Sequence, residues 1–519
     1  MNAEPVDVLI IGAGAAGSVF AAHLAEAGKR VLVLEAGAPR QLQDLVSSQI
    51  WARRLKWGLA PILAGGEDRL NHNIATGSGI GGAALHHYGT WLRFSEDVFK
   101  PHALHGRGID WPFEYSELRP HYDQLQREIG ISGDAAAEHW RPPGDPYPMP
   151  PLKQFRQAEL LDRGFAKLGK ATAPTPVIIN SVPYNGRPPC LYDAWCDAGC
   201  PIGALANPLI TYIPRARTAG AEFRAGCYVT CIDAAGRDRV AGVEYVHGGK
   251  RHTQPAKVVV VAASVMENIR LLLNSTSSWH VAGLGNANDL VGTHLAAECG
   301  VQAFALFEEE TECYLGVSAG HRIYREGYAS KSRPGMFAGY QWQLATAMKP
   351  NDIFGVAMTR PDIFGAPLHD FMRKGIRHAA TMLAFGGSVP VRENRVLLSD
   401  QKDVAGMPLV TTEHRWTPDM RALIDHLHTE GKSVMQAAGA TESWTGRTVT
   451  GHIVGGTLMG ETPETSVTDG YGRVHGMENL YVAGGSLFPG NAGTSPTYTI
   501  HAVSQRAARH VVSRWAELH

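Results

Sequence analysis

The sequence predicts an α/β protein of two domains, and two observations support this prediction. The chain has 519 residues, which is more than one hydrophobic core ordinarily organises, so two domains are expected. Residues 6–34 contain an apolar segment, a glycine-rich turn, a helical segment and a second apolar segment. This order is typical of a parallel sheet with a helix packed on it.

The first strand and the turn after it occupy residues 6–17. Residues 6–11 are mostly apolar without a helical period, as expected of a buried parallel strand. The turn has the pattern Gly-x-Gly-x-x-Gly. In this pattern Gly12 permits a tight turn, Gly14 lets the backbone approach a pyrophosphate, and Gly17 lets the helix pack close to the strand. The turn therefore predicts a dinucleotide site.

The helix and the second strand complete this unit. A helix is expected over residues 18–26 and a strand over residues 31–34. The helix N-terminus would present unpaired N–H groups to the phosphates. Glu35 is placed to accept hydrogen bonds from the adenosine ribose, and its charge disfavours NADP. The pattern does not separate FAD from NAD, and a glycine-rich turn in an ordinary α/β unit is the alternative.

Charge and hydropathy give no support to some other functions, although local basic patches remain compatible with the sequence. The formal net charge is −1, whereas nucleic-acid binding usually brings a basic excess. No apolar run reaches the ~18–20 residues needed to span a bilayer, so no transmembrane segment is expected. The N-terminus shows no secretory signal, and seven cysteines are too few for a disulfide scaffold.

Four segments resemble the glucose–methanol–choline (GMC) oxidoreductases, and the resemblance extends over nearly the whole chain. They are residues 6–37, 81–94, 258–273 and 452–509. In the third segment Ser264 stands where a glycine is usual. Within the family, the chain is most similar to the large, catalytic subunit of bacterial FAD-dependent sugar dehydrogenases of the glucose and gluconate type. Asp-Trp-Pro at residues 110–112 and the proline-rich residues 146–152 carry that similarity.

The resemblance implies a Rossmann-like FAD-binding domain interleaved with a substrate domain built on an antiparallel sheet. The FAD domain would gather residues 1–45, 70–100, 205–300 and 452–519. The substrate domain would comprise residues 101–204 and 301–451, with a strand of its sheet at residues 393–398.

The resemblance also implies which residues contact FAD. In pyranose oxidases a histidine at the position of His86 is bonded covalently to the flavin, and the alternative here is a histidine that packs near the ring without a bond. The implied FAD-contacting residues are Gly12, Gly14, Ala16, Gly17, Glu35, Gly81, Gly82, His86, Val229, Gly484, Gly485, Pro496 and Thr497.

Alcohol oxidation needs a base for the hydroxyl proton, and a neutral histidine suits this task near neutral pH. His452 opens the segment where the family has its catalytic histidine. The family pairs that histidine with an Asn or a second His, but Ser495 occupies that position here. A serine hydroxyl reaches less far and carries no charge, so an altered substrate pose is expected. His501 lies on the following helix and is not expected to replace the partner.

Three cysteines, Cys190, Cys196 and Cys200, lie within a short proline-bounded loop. Thiolates suit iron–sulfur clusters, and the resemblance implies a cluster of the 3Fe-4S type at these positions. Buried free thiols and a zinc site are the alternatives.

The resulting interpretation is an FAD-dependent dehydrogenase of a sugar, glycoside or polyol. Its electrons would pass through the iron–sulfur cluster to a small subunit and a cytochrome. The alternatives are an oxidase that reduces oxygen directly, or a flavin-bound lyase or inactive subunit. The resemblance is compatible with folding in the cytoplasm and with export alongside a signal-bearing partner.

Overall fold

A computed structural model describes residues 4–58, 60–70, 76–491 and 493–518. The remaining positions, some of which belong to the predicted domain ranges, lie outside the described residues. The strands are β1 Val6–Ile11, β2 Val31–Leu34, β3 Ile62–Gly65, β4 Ala173–Pro174, β5 Glu222–Arg224, β6 Tyr228–Ala234, β7 Val240–His247, β8 Lys250–Val261, β9 Ala296–Leu306, β10 Arg322–Glu326, β11 Tyr340–Leu344, β12 Ala379–Gly386, β13 Arg395–Lys402, β14 Pro408–Glu413, β15 Glu442–Thr445, β16 Val449–Val454 and β17 Leu480–Val482. The helices are α1 Ala15–Glu26, α2 Gln49–Leu55, α3 Pro101–His105, α4 Tyr115–Leu125, α5 Arg156–Lys167, α6 Tyr212–Thr218, α7 Val265–Asn274, α8 Pro350–Ala357, α9 Ala366–His378, α10 Pro418–Ala438 and α11 Thr497–Ser513.

The first sheet carries the N-terminal unit. Its strand order is β5-β2-β1-β8-β7-β6, and β17 pairs with the end of β8. β1 runs parallel to β2 and β8, whereas β7 runs antiparallel to β6 and β8. β1 and β2 occupy the predicted residues. α1 begins at Ala15, three residues before the predicted start, because Gly14 already serves as its N-cap.

The second sheet is antiparallel, as the predicted fold class requires. Its order is β15-β9-β12-β11-β10-β4, and β16 pairs with β9. Helix α10 covers one face, where Tyr340, Trp342 and Leu344 belong to the same core as Leu423 and other residues of that helix. Because side chains alternate along a strand, Gln341 lies on the opposite face. That inner face meets the loop before α11, since Gln341 contacts Ser495 there.

The strand predicted at residues 393–398 forms as β13, but its assignment to the second sheet is wrong. It pairs with β14 in a third sheet, in which β14 also pairs with β3. Backbone bonding explains this placement, because the Val396 N–H donates to the carbonyl of Gly292 over 2.9 Å. β13 is thereby held beside α7, away from the second sheet.

Two strands lie at the predicted domain limits. β9 begins at Ala296 and continues past residue 300 as part of the second sheet. β16, which contains His452, also joins that sheet through β9. His452 therefore lies on a strand of the second sheet, and the chain returns to the first sheet at β17. The domain ranges stay a prediction.

Candidate active site

The dinucleotide turn has the backbone geometry that its three glycines permit. Gly12 has a φ of +101°, and a Cβ there would lie 2.7 Å from the Ala262 carbonyl oxygen. A Cβ at Gly17 would lie 2.0 Å from the carbonyl oxygen of Gly12, so α1 can approach β1 this closely only without a side chain. A Cβ at Gly14 would meet a single atom within 4 Å, the Cα of Gly82 at 3.9 Å. The backbone at Gly14 is therefore open to a ligand.

A second glycine segment lies against the first. The N–H of Gly81 donates to the carbonyl of Ala13 over 3.1 Å, and a Cβ at Gly82 would lie 2.9 Å from the Gly14 Cα. Two segments of backbone without side chains therefore lie at the N-terminus of α1, where the helix dipole favours a pyrophosphate. A cradle of this kind, which any side chain would fill, fits the phosphates of FAD.

The carboxylate of Glu35 is buried and already holds three backbone groups. It accepts the N–H groups of Ala13 (3.0 Å), Gly37 (2.9 Å) and Gly79 (2.8 Å). A carboxylate has about four acceptor positions, so one remains for a ribose hydroxyl. Glu35 thus also joins the two glycine segments, a role that its place in the sequence did not reveal.

The C-terminal segment brings further predicted residues to this cradle. Gly484 has a φ of +100°, and a Cβ there would lie 4.0 Å from the Ala16 Cβ. The carbonyl of Gly485 accepts the Gly455 N–H at the end of β16 over 3.0 Å. Pro496 and Thr497 form the start of α11, whose first N–H groups are available to a ligand. Val229 is buried in β6, two residues after Cys227, whose N–H donates to the carbonyl of Glu35 over 2.9 Å.

His86 is buried beside the second glycine segment. Among the described residues its Nε2 has no hydrogen-bond partner, and burial lowers its pKa to about 3. The ring therefore stays neutral at working pH with one unsatisfied nitrogen. A buried nitrogen of this kind is expected to meet a group that the protein itself does not provide, and the flavin ring fits that requirement.

His452 is held by a carboxylate that the motif analysis missed. Its Nδ1 lies 2.5 Å from Oε2 of Glu298, which is fully buried on β9. The imidazole packs on Phe385 with ring centroids 4.6 Å apart, and its own side chain is 28% exposed. His452 has a φ of +39°, a rare conformation for a non-glycine residue that often marks functional sites. The sequence signal for such a pair is the single Glu in the mostly apolar β9, because buried carboxylates are normally paired.

Ser495 lies on the loop between β17 and α11 and is buried. Its hydroxyl accepts from Nε2 of Gln341 over 3.4 Å, so the structure brings it to the inner face of the second sheet. His501 is on α11 as expected and donates or accepts locally, with Nδ1 2.8 Å from the Thr497 carbonyl. Its ring packs on Trp91.

The loop at residues 190–200 is called the cysteine loop here. Its three cysteines have similar surroundings. Each sulfur accepts a backbone N–H, and burial raises the pKa of all three thiols, that of Cys190 to about 12. The charges of Cys190 and Cys200 also raise the pKa of Cys196, so the thiols lie within electrostatic reach of one another. The donor–acceptor pairs are Tyr192 to Cys190 (3.3 Å), Ser318 to Cys196 (3.5 Å) and Leu205 to Cys200 (3.3 Å).

The fit of this loop to a metal group depends on the kind of group. Among the described residues, no group of three or more His, Cys, Asp or Glu side chains is placed around a single ion. An iron–sulfur cluster does not require its thiolates to meet at one ion, because each can bind a different iron. N–H donors to sulfur are among the features that tune such clusters. Loop residues at positive φ, such as Cys200 at +55°, hold the chain in an irregular, defined shape.

A cavity of about 430 Å³ borders the inner face of the second sheet. Trp140, Arg141 and Arg325 are among its lining residues. Arg325 on β10 is the cross-strand partner of Gln341 on β11, and such partners project from the same face. The cavity therefore continues the surface on which Gln341 and Ser495 meet.

Comparisons with known proteins agree with this geometry. Residues 7–133 match the family described as FAD dependent oxidoreductase, and residues 390–504 match the C-terminal domain described as GMC oxidoreductase. The cradle, the helix N-terminus and the buried histidine fit the same cofactor, so the protein is an FAD-dependent oxidoreductase. Within that class, the C-terminal part of the chain matches the GMC oxidoreductases.

Its similarity to individual proteins covers whole chains. It is 28% identical to the fructose dehydrogenase large subunit of Gluconobacter japonicus, over 98% of both chains. It is 29% identical to 2-methyl-1,2-propanediol dehydrogenase of Mycolicibacterium austroafricanum, over 100% of this chain and 97% of that protein. Paromamine 6'-oxidase of Streptomyces fradiae is 28% identical, over 99% and 92%. A formate oxidase structure from Aspergillus oryzae, 15% identical, covers all of both chains with a TM-score of 0.69 and shows the same fold.

No helix of the described residues is long and apolar enough to cross a membrane.

Proposed function

We propose that the protein is a dehydrogenase that oxidises a hydroxyl group of a sugar, glycoside or polyol. The observation that carries the proposal is the His452–Glu298 pair beside the turn of Gly484 and Gly485. That turn belongs to the cofactor cradle, and Gly455, three residues after His452, is bonded to it. The cavity next to Arg325 offers charged and aromatic groups suited to the remainder of a polar substrate.

The residues suggest how the proton is handled. Nδ1 of His452 is engaged by Glu298, so the tautomer with hydrogen on Nδ1 leaves the Nε2 lone pair free for the substrate hydroxyl. The Glu298 carboxylate then stabilises the positive charge that His452 acquires. FAD, when bound, supplies the acceptor for the hydride of the substrate carbon. His452 and Glu298 are therefore assigned the roles of base and orienting carboxylate.

The substitution His452→Ala tests this assignment. The variant is expected to retain FAD and to lose at least ~10²-fold in the rate of flavin reduction, the usual scale for a general base. The rate is followed as anaerobic flavin bleaching with fructose, 2-methyl-1,2-propanediol and a panel of other sugars and polyols. His369→Ala, at an exposed position on α9, is the matched control. An unchanged rate in His452→Ala would contradict the assignment.

The same proposal includes a 3Fe-4S cluster held by Cys190, Cys196 and Cys200. Such a cluster would supply one-electron transfer between reduced flavin and an external acceptor. The position of the cysteine loop supports this role, because a Cβ at Gly199 would lie 3.3 Å from the Leu85 carbonyl oxygen, next to His86. The loop thus lies beside the segment proposed to contact the flavin.

Cys196→Ser is expected to remove the broad visible absorption and bound iron of the cluster while FAD remains. Serine oxygen is a poor substitute for a thiolate, because iron–sulfur clusters prefer soft ligands. Absorption spectra and iron analysis provide the measurement. Cys231→Ser, outside the loop, is the control. An iron-replete variant, or a wild-type protein without iron, would overturn this ligand set.

The partner proposed for the electrons is a small subunit with a cytochrome. An exposed apolar side chain, Leu191 (65% exposed), lies in the cysteine loop, and two more, Ile50 (83%) and Trp57 (66%), lie on or directly after α2. α2, which carries Ile50, is tied to the loop because Lys56 lies 3.3 Å from Asp197. Ile50→Glu is expected to slow reduction of a soluble cytochrome c while anaerobic flavin reduction is unchanged. Equal rates of cytochrome c reduction by the variant and the wild type would contradict docking at this surface.

His86 is proposed to contact the flavin without a covalent bond. Its unpartnered Nε2 supports a contact, and the covalent link of pyranose oxidases is the alternative. Flavin is expected to remain in the supernatant when the holoenzyme is precipitated with acid. A yellow precipitate would instead establish the covalent link.

Direct reduction of oxygen is the second candidate function. The similarity to a protein named as an oxidase favours it. An oxygen electrode distinguishes the two, because a dehydrogenase is expected to consume oxygen far more slowly than it reduces a dye.

A further inference from the structure

Ser495 occupies the position where GMC oxidoreductases have an Asn or His, and this chain places another amide next to it. Gln341 is fully buried on β11, and its Nε2 donates to the Ser495 hydroxyl over 3.4 Å. A lone serine is short and neutral. A serine that accepts from an amide can direct its own O–H outward, towards a substrate oxygen.

Gln341 also has an unsatisfied group. Its Oε1 is buried without a partner among the described residues. A buried acceptor without a partner is destabilising, and native proteins contain few such groups. The amide oxygen therefore points to a donor that arrives with a ligand.

The surroundings place this amide next to the catalytic base. Gln341 is the cross-strand partner of Phe385 on β12, and the Phe385 ring packs on His452. The Ser495 loop reaches the sheet through a contact between backbones, because a Cβ at Gly493 would lie 2.3 Å from the Gly339 carbonyl oxygen. The base and the Gln341–Ser495 pair therefore flank one site.

We propose that Gln341 positions Ser495, and that this pair takes the place of the second polar group of the family. As His452 takes the hydroxyl proton, negative charge grows on the substrate oxygen. The Ser495 O–H then donates to that oxygen, and the Gln341 N–H strengthens this donor by bonding to Ser495. The free Oε1 of Gln341 accepts from a second hydroxyl, so the substrate class is a diol or polyol with a hydroxyl near the oxidised carbon. This inference rests on the proposed function.

The variants Gln341→Ala and Gln341→Glu test the pair. The second keeps the shape of the side chain and removes the N–H donor, so it covers the case in which alanine disturbs folding. Each is expected to lower the rate constant of flavin reduction at saturating substrate by roughly 10- to 100-fold, since one preorganised donor is worth ~10²–10³ in kcat when it acts directly. FAD content should match the wild type. Gln401→Ala, an exposed glutamine on β13, is the matched control.

Rescue by a second substitution distinguishes a positioning role of Gln341 from a purely structural one, because a new amide at residue 495 would not repair a packing defect. Ser495→Asn in the Gln341→Ala background introduces an amide at the family position. The double variant is expected to reduce its flavin at least tenfold faster than Gln341→Ala alone. The wild type is expected to reduce its flavin faster with a 1,2-diol than with the corresponding simple alcohol. In Gln341→Ala the difference between the two rates should be smaller.

The outcomes separate this inference from the proposed function. If no alcohol bleaches the wild-type flavin, the proposed function fails and the inference falls with it. If the wild type is active but both Gln341 variants react at the wild-type rate, the inference alone is overturned. A slow Gln341→Ala variant without rescue by Ser495→Asn also overturns it, because the defect is then one of packing.

Discussion

The candidate site contains a buried carboxylate that is paired with a partly exposed imidazole. Glu298 is fully buried, and among the described residues its carboxylate is paired with the imidazole of His452. A buried carboxylate is costly unless a partner offsets its lost hydration, so the ring is held firmly in one orientation. His452 in turn has its backbone carbonyl tied to the Asn491 amide over 3.2 Å. The pair is therefore positioned before any substrate arrives.

Removal of the charge at Glu298 tests that positioning. Glu298→Gln preserves the size of the side chain but no longer stabilises the imidazolium, and its amide can favour the wrong tautomer of His452. The rate of flavin reduction is expected to fall by roughly 10²-fold, with FAD content unchanged. Stopped-flow absorbance supplies the measurement. Glu413→Gln, at an exposed strand end, is the control, and an active Glu298→Gln would refute the role of the carboxylate.

The elements show which parts of this arrangement are readable from the sequence. β1, the glycine turn and β2 are local in sequence, so their pattern predicted their positions. His452 was found because its surrounding motif is local as well. Glu298 pairs with it across 154 residues, through the alignment of β9 with β16, and no local pattern encodes that distance. β13 was predicted as a strand but placed in the wrong sheet, because the choice of neighbour depends on its contact with Gly292.

The contact between elements at Gly493 can be tested directly. A Cβ at this residue would lie 2.3 Å from the Gly339 carbonyl oxygen and 2.8 Å from the Gly387 nitrogen. Gly493→Ala therefore forces the Ser495 loop away from β11 and β12, and both the melting temperature and the rate of flavin reduction are expected to fall. The rate loss should be at least tenfold, as expected of a misplaced catalytic group.

The matched control separates crowding from backbone strain. Gly406 has a φ of +84°, similar to the +64° of Gly493, but nothing lies within 4 Å of a Cβ there. Gly406→Ala is expected to cost only the ~1–2 kcal/mol of a left-handed residue and to leave the rate unchanged. Equal effects of the two substitutions on melting temperature and rate would refute the close contact.

At the scale of the whole molecule, α1 and α11 close the first sheet around buried histidines. His23 on α1 and His501 on α11 both pack on Tyr212, and His87 lies close enough to His501 to affect its titration. Burial lowers the pKa of each of these three histidines to about 4. Protonation of these imidazoles therefore costs folding free energy.

This burial makes stability depend on pH in a defined window. The unfolded chain binds protons at these histidines below about pH 6.5, whereas the folded chain does so only near pH 4. Stability is therefore unaffected above pH 6.5 and is lost as the pH falls from 6.5 to 4, by up to ~1.4 kcal/mol per pH unit for each histidine. Glu138 opposes part of this loss, because burial raises its pKa to about 7. His86 and His321, whose pKa values burial lowers to about 3 and about 4, add to the loss, so net acid destabilisation is expected.

Urea unfolding of the holoenzyme at pH 7.5, 6.0 and 5.0 measures this dependence. The free energy of unfolding is expected to fall with each step, in a range where carboxyl groups of ordinary pKa titrate little. His23→Gln retains a polar side chain beside Gln505 and should remove about one proton from the pH dependence, which flattens the slope by up to ~1.4 kcal/mol per pH unit. His369→Gln, on the exposed side of α9, should leave the slope as it is. A flat profile in the wild type would show that these histidines are not buried as neutral groups.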